Sequence, residues 1–204
     1  FKPTRITDRI TVLPSWETYK ASDDEIIIEI DPGMAFGTGT HPTTTLCLKL
    51  LEQFIVEGES TVLDIGCGSG ILTIAASKLG AKEVTGVEID PTAVRVAEKN
   101  IEKNDVKGQI RIVEGDLTKG LDYTADIIVA NLMAELIMKL GMHVPDHLRQ
   151  NGIFISSGIL LEKKEEVITS LKSRGFQILC SPEDEEWCAI AAKYYSDDKD
   201  KVEQ

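Results

Sequence analysis

From residue 60 onward, short apolar runs alternate with longer segments of helical spacing, and this alternation constrains the chain more than any other feature. "STVLDIG" reads as a buried strand ending in glycine, and "GILTIAASKLG" as a helix closed by Gly80. "EVTGVEID", "QIRIVEGD", "ADIIVANL" and "GIFISSG" read as four more strands. "PTAVRVAEKNIEKN", "AELIMKLGMHVPDHL" and "LEKKEEVITSLKSRG" read as helices; Pro91 sits in the first turn of one and Pro145 ends or kinks another. Strands that alternate with helices of about 10–15 residues form parallel β-α units. The expected fold is α/β, a doubly wound and mostly parallel sheet of seven main strands.

The rhythm breaks at both ends. "FQILCSPE" and "WCAIAAKYY" are two strands joined by the acidic turn "DEE", with no helix between them. They are expected to pair antiparallel, as a C-terminal hairpin. "RITVLP" and "EIIIEI" are strand-like pieces within residues 1–30. Leu46, Leu50, Leu51 and Phe54 recur at helical spacing in "TTTLCLKLLEQFI", with Thr43 or Thr44 as the expected N-cap. The charged tail "SDDKDKVEQ", residues 196–204, is expected to be disordered.

Charge and cysteines narrow the partners. The formal net charge is −12, which disfavours non-specific nucleic-acid binding and suits a basic partner or simple solubility. No apolar run reaches about 18 residues, so no membrane span is expected. Cys47, Cys67, Cys180 and Cys188 form no C-x-x-C pair, which argues against a zinc site and for free thiols in a reducing cytoplasm. Cys180 and Cys188 are the one pair that neighbouring strands could bring face to face. His143 and His147 stand at a metal-like i, i+4 spacing, but Pro145 between them spoils a regular turn, and no metal is expected.

The chemistry is expected at "VLDIGCGSGIL", residues 62–72. Asp64 ends a strand, and Gly66, Gly68 and Gly70 make the turn into a helix. A dinucleotide fingerprint would be G-x-G-x-x-G; here Ile71 takes the third position. Glu88 follows Gly68 by 20 residues, at the end of the next strand, where a carboxylate can accept both ribose hydroxyls. The pattern suits an adenosine-type ligand that needs no pyrophosphate. Asp90, two residues on, reads as the N-cap of the next helix. A second loop, "DPGMAFGTGTHPTT" at 31–44, is rich in Gly and Thr but lacks the Lys of a phosphate-binding P-loop.

Asp64, the timed Glu88, "EGD" ending in Asp116 and the terminal hairpin together resemble the class I S-adenosylmethionine-dependent methyltransferases, whose sheet is Rossmann-like. The ordered set "RITVLPSWE", "DPGMAFGTGTHPTT", "DIGCGSGIL", "ANL" at 130–132 and "EEWCAI" is similar to the PrmA type, which modifies a large-subunit ribosomal protein. The similarity runs from about residue 1 to 194, and the loop at 31–44 is its most specific piece. Members of that family carry a separate N-terminal recognition domain, so residues 1–30 are expected to be linker and N-terminal strands. Residues 31–195 are then the methyltransferase domain. The start at Phe1 rather than Met fits a piece of a longer protein.

The resemblance implies S-adenosyl-L-methionine as cofactor and a cytoplasmic enzyme that methylates lysine side chains, and the N-terminal amine, of a ribosomal protein. It implies no direct nucleic-acid or membrane partner. Thr44 would touch the cofactor, and Gly66 and Gly68 would pass close to its methionine part. Asp64 would order its ammonium and Glu88 its ribose. Asp116 or the backbone of Leu117 would read the adenine amino group. Asn131 would bind cofactor or position the acceptor nitrogen, and Phe36 would cover the cofactor or the acceptor channel. His41 is assigned loop hydrogen bonding, not a base. "NLMAEL" stands where enzymes acting on amide nitrogens carry Asn-Pro-Pro-Tyr, which argues against glutamine or adenine acceptors. The alternatives are a methyltransferase acting on another protein lysine or a small molecule, a non-catalytic cofactor-binding module, and a nicotinamide oxidoreductase.

Overall fold

A computed structural model describes residues 3–14, 17–31, 41–106 and 108–195. Phe36, most of the loop at 31–44 and the tail at 196–204 lie outside the described residues.

A small sheet comes first: β1 (Thr4–Arg5), β2 (Ile10–Pro14) and β3 (Ile26–Ile30). β1 is antiparallel to β2, and β2 is parallel to β3 with Ile10 opposite Ile26. Among the described residues the outer edge of β3 has no strand neighbour. Instead the Asn104 amide accepts from the Glu29 N–H at 2.7 Å and donates to the Glu29 carbonyl at 2.8 Å. Lys78 Nζ adds a bond to the Ile27 carbonyl at 2.6 Å. Side chains thus do for this edge what a ladder would otherwise do.

Helix α1 (Pro42–Phe54) leads into the main sheet. Then follow β4 (Thr61–Ile65), α2 (Ile71–Lys78), β5 (Glu83–Glu88), α3 (Pro91–Asn104) and β6 (Gln109–Glu114). The chain returns through β7 (Ala125–Asn131), α4 (Ala134–Leu140), β8 (Leu148–Leu160) and α5 (Lys164–Ser173). It finishes with β9 (Phe176–Cys180), β10 (Glu183–Asp184) and β11 (Trp187–Tyr194). The sheet order is β10-β11-β8-β7-β4-β5-β6, with β9 beside β10 on the outer edge of β11. Strands β8, β7, β4, β5 and β6 are parallel, while β11 runs antiparallel to β8 and to β9. The doubly wound sheet and its terminal hairpin are those expected. The short β10 makes the main sheet eight-stranded rather than seven: Glu183 and Asp184 pair with Cys188 and Trp187 before Glu185 turns at φ 55°.

Alternation along the strands separates two cores. Val62, Val84, Ile127, Val129 and Ile155 face α1, α2 and the small sheet. Leu63, Ile65, Val87, Ile128 and Phe154 face α4 and α5. β4 is buried at every position, as a central strand covered on both faces must be. Among the described residues no helix is long and apolar enough to cross a membrane.

Three expectations change. α1 starts one residue before Thr43, so Thr43 and Thr44 lie inside the helix rather than at its cap. Pro42 suits the first turn because its missing N–H would be unpaired there, and the cap passes to His41, whose Nδ1 accepts from the Thr43 N–H at 3.2 Å. The segment 134–148 is two pieces, α4 and a 3-10 turn over Val144–His147. Cys180 and Cys188 do not face one another: the ladder sets Cys180 opposite Ala191 and Cys188 opposite Ile159, and all four thiols are free.

Candidate active site

Strand order reverses at β4. The chain winds outward through β5 and β6, then returns to lay β7 on the other side of β4. Neighbouring loops diverge at such a point, and a crevice opens beyond the carboxyl ends of the strands. The residues ending β4, β5 and β7 there are Asp64 and Ile65, Glu88, and Asn131.

A cleft of about 420 Å³ occupies the crevice; its lining includes Thr44, Asp64, Gly66, Gly68, Glu88 and Asn131. Six residues separated by up to 87 positions are thereby brought to one wall. Asp116 and Leu117 do not line it. They face a separate cavity of about 420 Å³ against α4, and the Asp116 carboxylate lies 2.9 Å from Lys119 Nζ.

The glycine turn is built against the protein rather than toward an anion. Gly66, Gly68 and Gly70 all have positive φ, which side chains with a Cβ rarely adopt. The N–H groups of Gly66 and Cys67 both donate to the Val87 carbonyl, at 2.8 and 3.0 Å. The Gly68 N–H donates to Glu88 Oε1 at 2.9 Å. Three amides that a phosphate cradle would offer to its ligand are already engaged. Glu88 Oε2 accepts from the Asp90 N–H at 2.9 Å, so backbone donors clamp both oxygens of this carboxylate. Each oxygen keeps a lone pair for the cleft. Asp90 caps α3 through the Thr92 N–H at 2.9 Å, as expected.

Asp64 is 1% exposed, and its Oδ2 accepts from Thr73 Oγ1 at 2.7 Å. Burial pushes its pKa up to about 7, with the Glu88 charge adding to the rise against the Thr73 hydrogen bonds. With Glu88 and Asp90 it makes a wall of three carboxylates, and no lysine or arginine lines this cleft among the described residues. Such a wall repels phosphate and attracts a cation that carries hydroxyls.

A second groove, of about 600 Å³, adjoins the first and shares Asn131 and Leu132 with it. Its walls are mainly apolar, from Leu132, Met133, Leu136, Leu160 and Trp187. The His41 ring meets Trp187 edge-on, with centroids 5.3 Å apart at 63°. Asn131 therefore stands at the junction of the two spaces, where its Nδ2 donates to Thr44 Oγ1 at 3.3 Å. The start of α1 is tied down there by Ser157 Oγ, which donates to the Thr43 carbonyl at 2.9 Å. The Leu132 N–H donates to the Ser157 carbonyl at 3.0 Å. Gly158 follows at φ 86°; a Cβ on it would lie 2.4 Å from the Leu132 carbonyl oxygen and 3.1 Å from Asn131 Oδ1.

Trp187, Gly158, Ser157, Leu132 and Glu135 escaped the reading of the sequence. Trp187 lay in a stretch singled out only as a family marker. Gly158 closes "GIFISSG" in the manner of any strand end, and nothing local showed what it would press against.

The sequence profile of the family described as ribosomal protein L11 methyltransferase (PrmA) matches residues 1–194. A ribosomal protein L11 methyltransferase of Clostridium botulinum is 51% identical over 193 residues, covering 95% of this chain and 61% of that relative. The chain thus spans less than two thirds of that relative's length. The crystal structure of a ribosomal protein L11 methylase from Lactobacillus delbrueckii subsp. bulgaricus superposes with a TM-score of 0.88 at 32% identity, covering 96% of this chain and 99% of that one. A precorrin-6y C5,15-methyltransferase from Geobacter metallireducens shares the fold alone, with a TM-score of 0.65 at 17% identity, over 84% of this chain and 98% of that one.

Proposed function

The chain belongs to the ribosomal protein L11 methyltransferase family, and on that premise we propose that it transfers methyl groups from S-adenosylmethionine to amines of that ribosomal protein. The acceptors are lysine side chains and the N-terminal amine, and the setting is the cytoplasm. The observation that carries the reading is the pair of spaces that meet at Asn131. One is lined by carboxylates and suits a cationic adenosine derivative; the other is apolar and suits an aliphatic amine. The engaged amides of the glycine turn speak against a nicotinamide dinucleotide, whose pyrophosphate would need them.

In this reading Glu88 holds the ribose hydroxyls with the lone pairs its two backbone donors leave open. Asp64 faces the ammonium, whose charge favours its ionised form. Gly66 and Gly68 let the methionine part lie against the main chain. Thr44 and Asn131 face the transfer point together. Asp116 and Leu117 are assigned to the adenine end by the family resemblance alone, since they line a separate cavity.

When bound, S-adenosylmethionine would supply a methyl carbon on a sulfonium, open to in-line attack by an amine lone pair as the C–S bond breaks and the neutral thioether leaves. The protein aligns the two partners and excludes water. A lysine amine, of pKa about 10.4, must first lose its proton, which costs roughly 4–5 kcal/mol at pH 7. The apolar groove lowers this cost by disfavouring the charged form. The Asn131 carboxamide oxygen can accept an N–H of the neutral amine and turn its lone pair toward the methyl.

Two measurements test the proposal. Calorimetric titration with S-adenosylmethionine should show binding to the wild type that Glu88→Ala weakens; equal affinity would refute the cofactor site. Labelled cofactor mixed with the purified ribosomal protein should place label on lysine or the N-terminal amine by mass spectrometry. Label on RNA alone, or on neither, would refute the protein substrate.

A further inference from the structure

The second groove holds one charge that the reaction scheme leaves unused. Glu135 lies in the first turn of α4, exposed, on the groove lining. The other charged group there, Lys163, has Glu166 Oε2 3.6 Å from its Nζ. Glu135 has no hydrogen-bond or ion-pair partner among the described residues. The groove lining therefore combines the exposed Glu135 carboxylate, the half-buried apolar side chains of Leu136, Leu160 and Trp187, and the half-buried Asn131 amide that it shares with the cleft.

We propose that Glu135 is a specificity residue that draws the ammonium of a lysine side chain into the groove and then stays behind. The inference rests on the methyltransferase reading above. Lysine carries a cation on four methylenes, so its head matches the carboxylate and its stem the apolar walls. Position matters here because a carboxylate beside the amine would stabilise the ammonium and oppose transfer. On α4 at the exposed mouth, Glu135 can favour the charged form during capture, and the apolar passage disfavours it further in. The proton leaves to solvent at the mouth before the amine reaches Asn131, so capture and reactivity are separated along one groove. A neutral or acidic side chain gains nothing from Glu135.

The test compares wild type, Glu135→Gln and Glu135→Lys on a short peptide bearing one lysine, with methyl transfer read by mass spectrometry and S-adenosylmethionine affinity by calorimetry. Glu135→Gln should raise KM for the peptide about 3- to 5-fold, the range of an exposed ion pair, and leave kcat within twofold. Glu135→Lys should raise KM further, and 0.5 M salt should shrink both differences. Cofactor affinity should be the same in all three. Unchanged KM in both variants, with wild-type transfer intact, overturns the role of Glu135 alone. A fall in kcat at unchanged KM also overturns it, because that would place Glu135 at the transfer step. A wild type that binds cofactor yet methylates no lysine overturns the methyltransferase reading together with this one.

Discussion

The carboxylate-lined cleft and the apolar groove share Asn131 and Leu132, yet they are assembled in opposite ways. Most of the cleft comes from two short stretches, 64–72 and 88–93, joined by the β4-α2-β5 unit. The groove draws on α1, the end of β7, α4, the end of β8 and the start of β11, from His41 to Trp187. A local motif can make a ligand site when one β-α-β unit contains it. A site that accepts varied macromolecular segments can be built from parts the chain brings together late. The cleft is also the more polar of the two, with backbone donors clamping its Glu88 carboxylate, whereas the groove is mainly apolar.

The strongest way to break this separation is at the shared wall. Gly158→Val puts a side chain where even a Cβ would sit 2.4 Å from the Leu132 carbonyl, at a φ that valine avoids. Asn131 and Leu132 must shift, so both sites fail together. Transfer should fall by about 100-fold or more, as misplacement by an ångström does in other enzymes. Steady-state kinetics with circular dichroism on the same sample check this, and retained activity would show that the shared wall is not critical.

Glu88→Ala should break one side only. It removes the carboxylate proposed to hold the ribose and frees the Gly68 and Asp90 amides, so cofactor affinity should fall roughly 10- to 100-fold, about 1.4–2.8 kcal/mol. Lysine-peptide binding, followed by nuclear magnetic resonance, should not change. A parallel loss in both would mean the two spaces are not separable.

Trp187→Ala makes the reciprocal test. It opens the groove wall and removes the ring that His41 meets. KM for the lysine peptide should rise about 10-fold from lost apolar contact, while calorimetry with S-adenosylmethionine should give the wild-type Kd.

The smallest effect sharpens the electrostatic half of the comparison. Asp64 has its carboxyl raised from 3.8 to about 7 in the folded protein. Between those values the native state holds a proton that the unfolded chain has lost. Its stabilising contribution is therefore complete below about pH 4 and fades as pH rises through about 7. The slope is at most about 1.4 kcal/mol per pH unit for one group. Asp64→Asn keeps the shape, so urea unfolding from pH 5 to 8 should lose that slope while cofactor affinity drops. An unaltered pH profile would mean that Asp64 does not titrate there.

Much of the cleft was legible because its signals are local. Glu88 lies where it does because one helix and one strand separate it from Gly68, and a right-handed β-α-β unit returns it to the same edge. Asp90 is readable as a cap because Pro91 follows it; Pro42 carries the same signal for His41, which takes the cap expected of Thr43 or Thr44. Asp116 and Leu117 follow β6 as the order of elements implies. Their facing a separate cavity against α4 depends on how that helix packs, which no spacing encodes.

By itself, then, the sequence determined the α/β class, the parallel order with its antiparallel end, the glycine turn and the carboxylates timed to it. Those features follow from hydrophobic period and chain connectivity, which act over a few tens of residues. Only the tertiary structure decided that the turn's amides are spent on Val87 and Glu88, that Asn131 joins two spaces, and that Gly158 must lack a side chain. It also placed Trp187 and Glu135 on one groove. These depend on contacts between segments far apart in the chain, fixed by close packing of strand ends and helix starts to within fractions of an ångström.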